Sequence, residues 1–271
     1  MIPFTKMHGL GNDFVVIDRR KGGIALSEER MRAIGDRHRG VGFDQLVLID
    51  TPANALAEVA FRFHNRDGSE AGACGNGTRC AAAAIMKETG RDSLAIETRA
   101  GLLRAEKRDG GLYSVDMGVA RTDWRDIPVT GACDTLALPL SVGPLSRPVG
   151  VSMGNPHCVF FVDNAEAIDL EKYGPMIERH ALFPERTNVE VAALIGKDRI
   201  RLRVWERGVG ITLACGSGAC ATGVAAVRKS LAGRSVEIVV DGGTLAVDWL
   251  ENGHVVLTGP VAVSFTGELA P

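Results

Sequence analysis

The chain has 271 residues, 45% hydrophobic and 24% charged, with 31 Lys+Arg against 33 Asp+Glu for a formal net charge of −2. That length supports a large core and two domains. The balance of charge and hydropathy excludes a basic nucleic-acid surface, and no apolar run reaches membrane-spanning length, so neither nucleic acid nor membrane is an expected partner.

The opening Met1-Ile2-Pro3-Phe4-Thr5-Lys6-Met7-His8 lacks the apolar core of a signal peptide, which makes a cytoplasmic location the expectation. Gly11-Asn12-Asp13 leads into a strand over 14–18. Ser27, with Glu28 and Glu29 after it, predicts a helix N-terminus. Residues 45–50 read as a buried strand and 57–64 as the next, closed by the turn residues Asn65-Arg66-Asp67-Gly68. Then comes Ala73-Cys74-Gly75-Asn76-Gly77-Thr78-Arg79-Cys80, which runs into Ala81 to Ala84. This pattern predicts a buried helix, apolar on nearly all sides, that starts at the cysteine and is capped by Gly90. Strands over 94–98, 102–107 and 113–117 follow, with Asp109-Gly110-Gly111 as a hairpin signal.

Residues 119–149, with Pro128, Pro139, Pro144 and Pro148, read as a connector. Beyond it the plan repeats: a strand over 158–162, a helix over 170–180, and strands over 189–194 and 199–205. A second cysteine motif, Ala214-Cys215-Gly216-Ser217-Gly218-Ala219-Cys220, opens a second small-residue helix with Gly233 as its expected C-cap. Strands over 236–240, 245–249 and 255–257 end the series. Cys74 and Cys215 are 141 positions apart, as are Asn65 and Glu206, and Gly118 and Gly259. Asn12 and Asn155, and Gln45 and Asn188, are 143 apart. Agreement over most of each half marks an internal duplication. The expected architecture is α+β, with two pseudo-symmetric halves, each a curled, mostly antiparallel sheet around a central apolar helix. The expected domains are 1–118 and 150–271, joined by 119–149.

A cysteine at a helix N-terminus stands where backbone N–H groups and the helix dipole favour an anion and favour thiolate over thiol. Either motif alone is as well read as a small residue packing a tight turn; two matching motifs favour acid–base chemistry beside a bound carboxylate. Of the other cysteines, Cys80 and Cys220 read as structural thiols within apolar helices, and the Cys-x5-Cys and Cys-x4-Cys spacings do not match a zinc ribbon. A thiol redox or metal-binding protein is the alternative of a different class.

The chain closely resembles the diaminopimelate epimerases. The resemblance is carried by Gly11-Asn12-Asp13-Phe14, Gly42-Phe43-Asp44-Gln45, Cys74-Gly75-Asn76-Gly77-Thr78-Arg79-Cys80, Gly154-Asn155-Pro156-His157-Cys158, Glu185-Arg186-Thr187-Asn188, Glu206-Arg207-Gly208-Val209-Gly210 and Ala214-Cys215-Gly216-Ser217-Gly218. It implies an isomerase without pyridoxal phosphate, cofactor or metal, which interconverts LL- and meso-diaminopimelate for lysine and peptidoglycan precursor synthesis. It further implies a homodimer and a site in the cleft between two similar domains. Cys74 and Cys215 correspond to its acid–base pair, with His157 and Glu206 as further catalytic groups. Asn12, Gln45, Asn65, Gly75, Asn76, Asn155, Asn188, Glu206, Arg207, Gly216 and Ser217 correspond to its substrate-binding positions. Their chemistry suits a substrate with two amino-acid ends: a guanidinium for carboxylate, a carboxylate for ammonium, amides for either. Within the same superfamily the alternative is a proline- or hydroxyproline-type racemase, whose substrate has a single amino-acid end. The remaining histidines, His8, His38, His64, His180 and His254, read as surface or packing residues.

Overall fold

The computed structural model describes residues 1–22, 25–72 and 74–270; Ala73, the first residue of the first cysteine motif, lies outside the described residues. The chain divides into one unit of Met1–Asp116 with Thr258–Pro271, and a second of Met117–Leu257.

The first unit begins with β1 (Ile2–Gly9), β2 (Asn12–Asp18), α1 (Glu28–Gly35), β3 (Gln45–Asp50), β4 (Val59–Asn65) and the short β5 (Glu70–Ala71). These are followed by α2 (Gly75–Thr89), β6 (Ser93–Thr98), β7 (Gly101–Lys107) and β8 (Leu112–Val119). β1 and β2 are antiparallel, β2 and β3 parallel, β3 and β4 antiparallel, β4 and β6 parallel, and β6, β7 and β8 antiparallel in turn. Alternation along β2 and β3 explains why both faces of this sheet are covered. Val15, Ile17, Leu46 and Leu48 meet Met31 and Ile34 of α1 and the buried ring of Phe43 in one core. Phe14 and Val47 belong to the opposite face, where α2 packs against β1, β2, β3, β6 and β7.

α2 packs within the sheet along a run of small residues: Cys80, Ala81 and Ala82 have no exposed surface, and Arg79, Ile85 and Met86 are buried with them. Gly90 ends it in the left-handed region (φ 72°), its N–H donating to the Met86 carbonyl at 2.9 Å. Ser27 caps α1 as expected, its hydroxyl accepting the Arg30 N–H at 3.1 Å.

The second unit includes a short hairpin, β9 (Ser141–Val142) and β10 (Leu145–Ser146). Its elements are β11 (Val149–Ser152), β12 (Pro156–Phe161), α3 (Leu170–Glu178), β13 (Asn188–Gly196), β14 (Arg199–Glu206), β15 (Gly210–Thr212), α4 (Gly216–Arg228), β16 (Ser235–Val240), β17 (Gly243–Trp249) and β18 (His254–Pro260). Pairing repeats that of the first unit step by step. β11 and β12 are antiparallel, β12 and β13 parallel, β13 and β14 antiparallel, β14 and β16 parallel, β16 and β17 antiparallel. α4 packs against β11, β12, β13, β14, β16 and β17. The α+β architecture of two matching halves, each a largely antiparallel sheet around a central helix, is thus what the chain forms.

Three details differ from expectation. Ile127, Leu138, Leu140 and Leu145, within or beside the proline-marked stretch, are buried in the core of the second unit with Phe160, Ile177 and Val191. Gly233 does not cap α4. That helix ends at Lys229, whose N–H reaches the Ala225 and Val227 carbonyls, and Ser230 takes the left-handed turn at φ 59°. Gly233 instead donates its N–H to Asp198 Oδ1 at 2.6 Å. Finally β19 (Ala262–Leu269), absent from the strands read in the sequence, pairs antiparallel with β1, and Phe265 meets Phe4 edge-on at 6.0 Å.

Candidate active site

In the first unit the site is built on the N-terminus of α2. Cys74 is the N-cap, in extended backbone, and its Sγ accepts the Gly77 N–H at 3.5 Å. Gly77 is required by close approach: a Cβ there would lie 3.0 Å from the rings of both Phe14 and Phe63. Asn12, at the start of β2, lies beside the cysteine, its Oδ1 4.0 Å from Cys74 Sγ. The same Oδ1 accepts from Asn76 Nδ2 at 3.2 Å, and Asn76 Oδ1 accepts from Arg79 at 2.8 Å.

Asn12 is fixed from behind by charge. Its Nδ2 donates to Asp44 Oδ2 at 2.9 Å, and Arg37 bridges Asp44 and Asp13. Lys6 completes the group against Asp13 and the Gly42 carbonyl. Burial pushes the Asp13 carboxyl up, but the Arg37 and Lys6 hydrogen bonds outweigh it and hold it well below the usual carboxylate range. On adjacent strands, Gln45 and Asn65 are register partners, and Gln45 Nε2 donates to Asn65 Oδ1 at 3.1 Å.

The second unit repeats this frame around α4. Cys215 is the N-cap, accepting the Gly218 N–H at 3.4 Å, with Ser217 Oγ 3.6 Å away. Asn155 occupies the repeat position of Asn12, and its Nδ2 reaches Ser217 Oγ at 3.5 Å. Asn188 accepts the Arg207 N–H on Oδ1 at 2.9 Å and donates to the Pro156 carbonyl at 2.9 Å, which ties the Glu206-Arg207 turn to β12. The Arg207 guanidinium donates to the Glu185 carbonyl at 3.1 Å.

What lies beneath α4 is new chemistry. His157 has no exposed surface; its Nδ1 is 2.7 Å from Glu190 Oε1 and its Nε2 3.0 Å from Asn155 Oδ1. Thr212 donates to Glu206 Oε1 at 2.5 Å. Burial pushes the Glu206 carboxyl up, opposed by hydrogen bonds from Thr212 and Cys215. The expectation that a helix terminus lowers both thiols fails at Cys215. Burial, then the Glu206 and Glu190 carboxylates, push that thiol well up, outweighing the Ser217 and Gly218 hydrogen bonds. The structural reading of Cys80 holds: burial raises its thiol to about 12.

The structure therefore brings Asn12, Cys74 and Asn76 together in the first unit, and Asn155, His157, Ser217, Cys215 and Glu206 in the second. Residues not foreseen as part of these neighbourhoods are the Lys6–Asp13–Arg37–Asp44 group, Thr212, Glu190 and Glu178. The last is buried and takes Trp205 Nε1 at 2.7 Å and Gly208 N at 3.0 Å, bracing the 206–210 turn. Among the described residues no group of three or more His, Cys, Asp or Glu is arranged to hold a metal ion.

A family model for diaminopimelate epimerase matches residues 4–122 and 149–264. The chain is 55% identical over 267 residues to the diaminopimelate epimerase of Rhodospirillum centenum, covering 98% of this chain and 92% of that protein. It is 53% identical to the diaminopimelate epimerase of Acidiphilium cryptum, covering 98% and 96%. Among solved structures, a hydroxyproline epimerase from Agrobacterium vitis with bound trans-4-hydroxy-L-proline superposes with a TM-score of 0.66 at 14% identity, covering 98% of this chain and 91% of that one, a likeness of fold alone.

Proposed function

Because the chain belongs to the diaminopimelate epimerase family, we propose that it interconverts LL- and meso-diaminopimelate with Cys74 and Cys215 as the two acid–base groups, in the supply of lysine and peptidoglycan precursors. One observation supports this reading above the others: two repeat-related cysteines each cap the N-terminus of a buried helix, with repeat-related amides beside them.

Epimerisation removes the Cα proton from one face and returns a proton to the other. A thiolate takes the proton, leaving the electron pair on Cα and delocalised into the carboxylate; a thiol opposite delivers its own proton to Cα and becomes the thiolate. Atoms and charge balance without any cofactor, and the two cysteines have exchanged states. Burial and two carboxylates push the Cys215 thiol well up, which favours its thiol form in the resting chain.

The developing carboxylate charge calls for preorganised donors, and helix N-termini supply them. α2 and α4 begin at Gly75 and Gly216, so the first-turn N–H groups fall at Gly75-Asn76 and Gly216-Ser217. Arg207 takes a carboxylate of the substrate and Glu206 an ammonium, while Asn12, Gln45, Asn65, Asn155 and Asn188 fix the remaining polar atoms. His157 supports proton positioning near Cys215. The assembly carried over from the family is a homodimer, and a monomer mass by sedimentation equilibrium would rule it out.

The test is incubation with LL-diaminopimelate in the absence of pyridoxal phosphate, followed by chiral analysis. Formation of the meso isomer to equilibrium is expected, with no turnover of L-proline or trans-4-hydroxy-L-proline. Turnover of a proline and none of diaminopimelate would replace this reading with the racemase one.

A further inference from the structure

The floor beneath α4 holds a side chain to which the proposed reaction assigns no contact with the substrate. Glu190, near the start of β13, has no exposed surface, and its flanking residues Val189 and Val191 are equally buried. A carboxylate in such a place is expensive unless every lone pair is used. Here Oε2 accepts the Cys158 backbone N–H at 3.1 Å and Oε1 faces His157 Nδ1 at 2.7 Å. Oε1 also sits under the helix start: a Cβ on Gly218 would be 3.0 Å from it and 3.3 Å from Cys215 Sγ.

The repeat shows that this is an addition to the frame and not a part of it. Parallel pairing sets Val16 opposite Val47 in the first unit and Val159 opposite Glu190 in the second. It sets Phe14 opposite Gln45 and His157 opposite Asn188. Glu190 thus takes the place of Val47, and His157 that of Phe14. A pair of side chains that is apolar in one unit is an ionisable, hydrogen-bonded pair in the other, so the fold itself does not call for it.

We propose, resting on the reading of His157 given above, that Glu190 is a positioning residue: its carboxylate grips His157 through Nδ1 and thereby sets which ring nitrogens carry protons beside Cys215. The 2.7 Å contact needs one proton between Nδ1 and Oε1, and the proposal places it on Nδ1. Asn155 Oδ1, as assigned from the hydrogen-bond network, then requires a proton on Nε2 as well. Both ring nitrogens are donors, the ring cannot rotate, and its charge is balanced by Glu190. Burial pushes the Glu190 carboxyl up and the imidazole opposes that push. The titratable groups facing the pair are Cys158 on β12, Glu206 on β14 and Cys215 at the start of α4.

The experiment is ¹⁵N NMR of the His157 ring in the full chain, wild type and Glu190→Gln, combined with epimerase kinetics of E190Q, H157N and the double variant. In the wild type both ring nitrogens should resonate in the protonated range. In E190Q the amide oxygen is claimed by the Cys158 N–H, so the amide NH₂ turns to His157, and Nδ1 should move to the unprotonated range. E190Q should lower kcat by about tenfold or more, since it disturbs a group supporting acid–base steps worth ~10²–10⁴-fold, while KM stays within about twofold. The double variant should be no slower than H157N, because the two residues act as one unit. Unchanged ring shifts in E190Q, or losses that multiply in the double variant, overturn the proposal. If E190Q does not fold, the wild-type spectrum decides: a bare Nδ1 overturns it. Absence of epimerisation by the wild type would reject the functional reading alone, and the ring shifts would still decide whether Glu190 sets the His157 protons.

Discussion

α2 and α4 begin identically, each on a cysteine whose Sγ accepts the N–H three residues further on, yet they rest on different floors. Under α2 lie the rings of Phe14 and Phe63; under α4 lie His157 and Glu190. In the first unit the Lys6–Asp13–Arg37–Asp44 group reaches Cys74 through Asn12, and the buried Arg79 donates to Asn76. The second brings two carboxylates close enough to act on Cys215 directly. Duplication thus preserved the backbone geometry that presents a thiol at a helix terminus. Side chains on neighbouring strands then set two carboxylates against the second thiol, which push it toward the thiol form.

The hardest test of that pairing removes each thiol. Cys74→Ala and Cys215→Ala should each lose at least ~10²–10⁴-fold in kcat/KM, and the double variant should lose little more than either alone. In heavy water, early deuterium should appear in the product epimer before the recovered substrate, because the returning proton comes from the opposite thiol. Equal early labelling of both epimers would mean one base serves both faces.

A smaller effect should separate the thiols chemically. Cys74 is half-buried, whereas Cys215 is 5% exposed and pushed toward the thiol form. Iodoacetamide at neutral pH should therefore modify Cys74 about tenfold faster or more, read by peptide mass against time. Faster labelling of Cys215 would reverse the proposed resting states.

The floors themselves can be probed through the glycines above them. Gly77→Ala forces a methyl against two buried rings and should cost about 1–3 kcal/mol of stability in urea unfolding. Gly218→Ala pushes on the Glu190 carboxylate and Cys215 and should show mainly as lost activity. Similar stability and activity losses for both would say that the floors differ less than the side chains suggest.

The mildest expected effect is on pH dependence. Asp13 has a lowered folded-state pKa, so its contribution is present above the unfolded carboxylate value and fades as pH falls through the folded one. Asp13→Asn should flatten the acid side of the stability–pH curve and leave the neutral side nearly parallel to wild type. Glu206 is shifted the other way, so its contribution fades as pH rises through its folded value, and Glu206→Gln should flatten that side instead. An acid limb of D13N that matches wild type would remove the Lys6–Arg37 clamp from the account.

Most elements could be read in the sequence because the signals there are local. Small-residue runs after Cys-Gly-x-Gly mark buried helices, and the 141- and 143-residue offsets align Asn65 with Glu206 and Gln45 with Asn188, which the strand registers reproduce. The misses arise where burial overrides a local rule. A helix terminus alone lowers a thiol pKa, but at Cys215 two buried carboxylates and lost hydration act in the opposite sense. Glu190 in Asn188-Val189-Glu190-Val191 looks like the polar face of an alternating strand, and only its partner across the parallel register shows that it is interior. One signal could have found it: at the repeat offset it stands opposite Val47, a charge where the duplicate has an aliphatic residue. β19 has no counterpart in the duplication and so no echo to reveal it.

The pairing of β19 with β1 has a consequence during synthesis. At ~5–20 residues per second, β1 would wait roughly ten to fifty seconds between its own emergence and that of its partner. In that interval the second unit can complete its pairings, whereas the first presents one open strand edge with Phe4 uncovered by Phe265. Nascent chains stalled before residue 262 should consequently be the ones that chaperones and aggregates retain.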